Sequence, residues 1–281
     1  MQTTLVDGVE IAHEEAAPAN GEGSGTPLVL MHGYTGFWKD FEGQISALAG
    51  RHRVLVPDLP GHGESGRLPA GQYRLDRMAE LMAEWLVAVD AAPCHLLGHS
   101  MGGMIVLRMA LEHPGRIASL VLMDTSAARL GFIQTELIDT AARVAREAGM
   151  AALASILRAR AKDDPERSQP DRRVEEEWGG ERFWHWRGAR MEAMDPEAYA
   201  AFGHAMADAP SLEERLAEIA CPTLVMVGAE DEPFLAPSEV LASEIPGALL
   251  ATLPSAAHQP QNESPVAWLE ALELHLERTP S

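Results

Sequence analysis

The chain has 281 residues, 46% of them hydrophobic and 23% charged, with a formal net charge of −20. That length accommodates one large core, or a core carrying a small insertion. The negative balance disfavours nucleic acid and anionic membrane surfaces as partners, and no apolar run approaches the ~20 residues of a membrane span.

Thr3 to His13 reads as a hairpin turning at Asp7-Gly8, a favoured tight-turn pair. The start of the chain has neither a basic n-region nor an apolar h-region, so a secretory signal is not expected. Glu14 to Thr26 reads as a loop, and Pro27 to Met31 as a strand buried on both faces. Arg53 to Val56 reads as the next strand, and Tyr73 to Val89 has the apolar spacing of a helix. His95 to Leu97 is a predicted strand, Met101 to Leu111 a helix stopped before Pro114, and Ile117 to Met123 a further strand. This βαβα rhythm predicts an α/β fold with a mostly parallel sheet flanked by helices.

The rhythm breaks from Thr125 to Glu218, where the segments read as helical and no strand is convincing. Alternation resumes with strands at Thr223 to Val227 and Ala248 to Leu253, and helices at Pro237 to Ser243 and Pro265 to Leu276. The expected organisation is a core of residues 1–124 and 219–281 with a helical cap of residues 125–218. The charge run from Asp163 to Glu177 reads as a solvated face. Cys94 and Cys221 are too few for a disulfide framework and read as buried free thiols, which suits a cytoplasmic setting.

The most informative stretch is Gly98-His99-Ser100-Met101-Gly102, a G-x-S-x-G sequence between a predicted strand and a predicted helix. An attacking serine must leave the sheet and stand in a cleft. A sharp strand-to-helix turn achieves this, and glycines on either side remove the Cβ atoms that would clash. The helix that follows aims free N–H groups at the reaction centre. The alternative is a Gly/Ser turn that merely opens a core helix.

With His32-Gly33 and Asp58-Leu-Pro-Gly-His-Gly-Glu-Ser65, this stretch makes the chain resemble the α/β-hydrolase superfamily. The likeness is to the branch of small carboxylesterases, enol-lactonases and carbon–carbon bond hydrolases. It implies Ser100 as nucleophile, followed in chain order by an acid and a histidine. His258 follows the last predicted strand and is expected to be the base. The resemblance places the acid at Asp231, after the Thr223 to Val227 strand. Asp124 competes for that role, but reads as a cap beside Thr125 and Ser126. The oxyanion hole is expected from the N–H of Met101 and, by resemblance, that of Tyr34. His32 and His62 read as loop braces and His99 as packing near the elbow.

Expected pocket residues are Phe37, Trp38, Trp184, Trp186 and Met191, although the cap aromatics equally suit packing of the cap onto the core. Arg187 and Arg190 read as surface arginines, with carboxylate binding as the alternative. No metal-ligand spacing and no dinucleotide fingerprint occur, so no metal and no cofactor are expected. The implied activity is a serine-dependent carboxylesterase acting through an acyl-enzyme on a small to medium, apolar small-molecule ester. A lactonase, amidase or carbon–carbon hydrolase with the same triad is the alternative, and a ligand receptor on the hydrolase fold a further one. Gln259 directly after His258 fits the carbon–carbon hydrolases less well. The acyl group, the leaving group and the oligomeric state stay open.

Overall fold

Apolar residues alternate between the two faces of each central strand, and this alternation sets the layering. The computed structural model describes residues 1–18, 25–69, 71–162, 164–165 and 167–279. Strands β1 (Gln2–Val6) and β2 (Val9–Ala16) form the hairpin, so residues 14–16 extend β2 instead of opening a loop; residues 19–24 of that expected loop lie outside the described residues. Then come β3 (Leu28–Met31), α1 (Glu42–Leu48), β4 (Val54–Pro57), α2 (Leu75–Ala88), β5 (Cys94–His99), α3 (Met101–Glu112) and β6 (Ile117–Met123). The eight-stranded sheet has the order β1-β2-β4-β3-β5-β6-β7-β8, where β7 is Thr223–Gly228 and β8 is Leu249–Leu253. Strands β1 and β2 are antiparallel, and the pairings from β4 onward are all parallel.

Val29, Met31, Leu55, Leu96 and Leu122 pack on one face against α2 and α3. Leu28, Leu30, Val54, Leu97 and Val121 pack on the other, against Phe41, Leu48 and Trp268. Each central strand is thus buried on both sides, as a parallel sheet requires. Burying one such aliphatic side chain contributes roughly 1.5–3 kcal/mol.

Five helices separate β6 from β7: α4 (Thr135–Ala148), α5 (Met150–Lys162), α6 (Gln169–Trp178), α7 (Gly180–Glu192) and α8 (Pro196–Ala207). Ser168 caps α6 by accepting from the Asp171 N–H, and Asp195 caps α8 by accepting from the Glu197 N–H. The chain closes with α9 (Glu232–Glu244), β8, the short α10 (Pro260–Glu263) and α11 (Pro265–Arg278). Helix α9 starts five residues before the expected Pro237, which lies inside it. Pro233 occupies its first turn, where no N–H is needed.

In the segment read as a solvated charge run, Asp164, Glu176 and Glu177 are exposed, whereas Arg167, Asp171 and Glu175 belong to an ion-pair network; Asp163 and Glu166 lie outside the described residues. Arg167 pairs with Asp171 and Glu175, and Arg187 holds Asp171 at 2.6 Å. Guanidinium groups stacked over Phe183 and Trp184 draw these charges inward. Among the described residues, no helix is long and apolar enough to cross a membrane. Cys94 is buried, Cys221 partly so, and both are free thiols.

Candidate active site

Because β3 and β5 to β8 run parallel, the loops after them open at one edge of the sheet, and that edge gathers the candidate residues. Ser100 stands between β5 and α3 with φ 54° and ψ −118°, a left-handed conformation that a non-glycine residue adopts only under strain. The turn is over-determined. Ser100 N–H donates to the Met123 carbonyl at 2.9 Å, and the Thr125 hydroxyl donates to the Ser100 carbonyl at 2.7 Å. At Gly98 a Cβ would lie 2.5 Å from the Gly102 carbonyl oxygen and from Val106, so only glycine lets the strand turn this tightly into its own helix.

His258 lies in the loop after β8. Its Nε2 is 3.1 Å from Ser100 Oγ, and its Nδ1 is 2.7 Å from Asp231 Oδ2. Asp231 is buried where β7 passes into α9. The histidine loop is held from three sides, two of them by residues that the sequence did not mark. Glu263 accepts from the N–H groups of Ala257 (2.6 Å) and Gln259 (3.1 Å), which flank the histidine. Phe234 stacks on the imidazole at 4.8 Å. His99 is fully buried, and desolvation holds its pKa well below the usual histidine value, so its neutral Nε2–H donates to the His258 carbonyl at 2.8 Å. Residue type flags neither Glu263 nor Phe234, since each acts only through the tertiary fold.

Asp124 is not the cap of the loop after β6. It is fully buried with φ 45°, and its Oδ1 reaches across the sheet to accept from the Gly228 N–H at 2.9 Å. Donor atoms of Asp124, Asp231 and His258 all lie within 4.8 Å of one another. Burial first, and then the Asp231 charge, raise the Asp124 pKa well above the usual carboxylate range. Both effects favour the uncharged form of Asp124 beside the Asp231 carboxyl. These three residues are also a grouping of metal-ligand types, but both nitrogens of His258 already have protein partners.

Residues 32–36 after β3 form the facing loop. His32 is buried and neutral; its Nδ1 donates to the Gly33 carbonyl and its Nε2 accepts from the Leu59 N–H, each at 2.9 Å. The Tyr34 hydroxyl donates to the Tyr199 carbonyl of α8 at 2.6 Å, and the two rings stack at 5.3 Å. Met101 opens α3, where the first N–H groups have no partner inside the helix.

Beneath this loop, Asp58 accepts from the N–H groups of Trp38 (2.7 Å) and Glu64 (2.9 Å). Burial pushes the pKa of Asp58, and separately that of Asp40, up to about 6. An unfolded aspartate titrates near ~3.9. Between those values the folded state binds more protons than the unfolded state, so stability falls as pH rises through that window. Asp58→Asn is expected to flatten this slope, as read by urea unfolding at pH 4 and pH 6.5.

Ser100, His258 and Tyr34 line a cavity of about 580 Å³ between the sheet edge and the inserted helices. Its lining includes the apolar side chains of Leu130, Phe132, Ile138, Met206 and Phe234 and the polar or charged ones of Arg167, Asp171, Trp186, Arg187 and Arg190. Of the five side chains expected to line it, only Trp186 does. Phe37 is buried beneath the loop, and Trp38 packs on the opposite core. Trp184 and Met191 share the other face of α7 and border an adjacent cavity of about 400 Å³. Nor is Arg190 a surface arginine: its side chain is 11% exposed and its Nε lies 2.9 Å from Asp40 Oδ1.

A family profile described as alpha/beta hydrolase fold matches residues 26–265. A protein of Azorhizobium caulinodans that carries the name carbamate hydrolase RutD is 32% identical over 262 residues, 89% of this chain and 91% of its own length. The pimeloyl-[acyl-carrier protein] methyl ester esterase of Chromobacterium violaceum is 31% identical, covering 91% of this chain and 96% of that protein. The solved enol-lactonase of Burkholderia xenovorans LB400 superposes with a TM-score of 0.81 at 25% identity, covering 99% of this chain and 100% of that one. With its parallel sheet, its strained serine between β5 and α3, and these relatives, the chain belongs to the α/β-hydrolase fold family.

Proposed function

We propose that this hydrolase cleaves a small carboxylic ester through an acyl-enzyme on Ser100, with His258 as general base and acid and Asp231 as its orienting carboxylate. The carrying observation is the unbroken relay Asp231 Oδ2 – His258 Nδ1 – His258 Nε2 – Ser100 Oγ, at 2.7 and 3.1 Å, opening into the cavity. A serine hydroxyl is a weak nucleophile until a base removes its proton. Asp231 accepts the Nδ1–H, which leaves the Nε2 lone pair facing Ser100.

Attack on the ester carbonyl transfers the Ser100 proton to Nε2 and forms a tetrahedral oxyanion. The N–H groups of Met101 and Tyr34 are the proposed donors to that oxygen, each contributing on the order of 3 kcal/mol. His258 then protonates the leaving alkoxide. Water, deprotonated by His258, attacks the acyl-enzyme and frees the acid and Ser100. No step calls for a metal or cofactor.

The relatives are named for cleaving a carbamate, a methyl ester and an enol lactone, which share attack at an acyl carbonyl. A lactone is the second reading, favoured by the likeness to the enol-lactonase. In both readings residues 125–218 act as a cap that selects the substrate, the ligand is a small molecule, not nucleic acid or membrane, and the setting is cytoplasmic.

A fluorophosphonate probe is expected to label Ser100, and a short-chain aryl ester to turn over. Ser100→Ala should abolish both. Absence of labelling and turnover in the wild-type chain overturns the reading.

A further inference from the structure

We propose that Arg190 and Arg187 form a carboxylate-binding subsite beside Ser100, so that the ester cleaved here bears an anionic group on an otherwise apolar body. This substrate class rests on the reading of Ser100 as the nucleophile.

Both arginines border the cavity that holds Ser100 and His258. Arg190 is fixed from two directions. Its Nε lies against the fully buried Asp40, behind the loop after β3, and its guanidinium sits 4.9 Å over the Trp186 ring. Its charge is close enough to lower the pKa of both His99 and His32, which places it against the elbow and that loop. Among the described residues, neither terminal nitrogen of Arg190 has a hydrogen-bond partner. Arg187 spends one terminal nitrogen on Asp171, at 2.6 Å, and its others have none among the described residues.

The acids nearest this pair are already engaged, Asp40 by Arg190 itself. Asp171 is divided between Arg167 and Arg187, and Glu175 serves Arg167 and the Trp184 N–H. Burial lowers the Arg187 pKa, and the neighbouring charges of Arg190 and Arg167 lower it further. A guanidinium presents its N–H groups as a planar fork that matches a carboxylate. Asp164, Glu230, Asp231 and Glu263 also border the cavity, so its guanidinium groups are the part that can accept an anion. In the same lining, Leu130, Phe132, Ile138, Met206 and Phe234 offer no hydrogen-bonding side chain. A cavity lined by both guanidinium groups and hydrocarbon is complementary to a substrate that carries an anion on an apolar body.

The test compares mono-(4-nitrophenyl) glutarate with 4-nitrophenyl hexanoate, an uncharged ester of similar length, on the full chain. Wild type is expected to favour the acid-bearing ester at least tenfold in kcat/KM. Arg190→Gln should collapse that ratio by about 10- to 100-fold, mainly through KM of the acid-bearing ester, as loss of a charge-assisted pair predicts. Because this variant strands buried Asp40, the comparison is repeated on Asp40→Asn/Arg190→Gln. Glutarate itself should raise the melting temperature of wild type but of neither variant, a readout that needs no turnover. The subsite is overturned if wild type shows no preference and no glutarate shift, or if the variants slow both esters equally and keep the glutarate shift. Normal labelling of Ser100 alongside that result leaves the hydrolase reading standing, and failed labelling beside a glutarate shift removes only the esterase reading.

Discussion

Asp231→Ala is expected to lower kcat about ten-thousandfold, on the scale measured when the orienting carboxylate of such a triad is removed. Asp124→Asn should stay within about tenfold of wild type. The difference follows from protonation. Asp231 accepts the His258 Nδ1–H, and without it the imidazole loses both its tautomer and its orientation. Burial favours the uncharged form of Asp124, and an asparagine amide is uncharged and keeps the oxygen that accepts from the Gly228 N–H. Asp124→Ala leaves the buried Gly228 N–H unpaired, at a cost of about 1–3 kcal/mol in stability. Once the Asp231 charge is gone, Asp124 ionises more readily, within 4.8 Å of the histidine. The double variant Asp124→Asn/Asp231→Ala should therefore be slower than Asp231→Ala alone. Steady-state kcat on an aryl ester reads all of these. If Asp124→Asn proves as damaging as Asp231→Ala, the two carboxyls have been assigned the wrong way round.

Gly228→Ala is expected to have the second large effect, at a residue that touches no substrate. A Cβ there would collide with the carbonyl oxygens of Ala256 and Ala257. These are backbone atoms of the histidine loop, so no side chain can swing away. The two loops are stitched together by Ala229 N–H to Leu253 carbonyl (2.9 Å) and Glu230 N–H to Ala256 carbonyl (2.8 Å). Relief of the clash must separate Asp231 from His258. A misplacement of ~1 Å costs on the order of a hundredfold in rate, and overpacking of this kind destabilises by about 1–3 kcal/mol. Urea unfolding together with kcat measures both. Wild-type values in each would show that the loops do not depend on this close approach.

The strand alternation and the serine turn were legible from local pattern, because a buried parallel strand and a nucleophile elbow each impose a short, ordered set of residue types. Helix boundaries are less legible. Pro237 resembles a first-turn proline, whereas Pro233 already fills that role in α9. Helix α1 is only seven residues long, too short for its apolar spacing to stand out. The larger misses concern charge. Arg190 looks like any helix arginine until the fold brings it to Asp40, and the run around Asp171 looks solvated until Arg167 and Arg187 close on it. Asp124 reads in the sequence as a cap or an acid; its burial beside Asp231, which favours the uncharged form, is encoded by no spacing.

The inserted helices are bolted to the moving parts of the chemistry as well as to the core. Arg173 of α6 donates to the carbonyls of Ser255 and Glu263, each at 2.6 Å, on either side of His258. Tyr199 of α8 receives the Tyr34 hydroxyl, and Asp195 receives the Tyr73 hydroxyl at 2.6 Å. Arg190 of α7 holds Asp40. The insertion is therefore not an interchangeable module. A chimera that carries a relative's helices on this sheet would lose anchors for the histidine loop and the loop after β3 together, and its rate would fall even toward an ester that its new pocket fits.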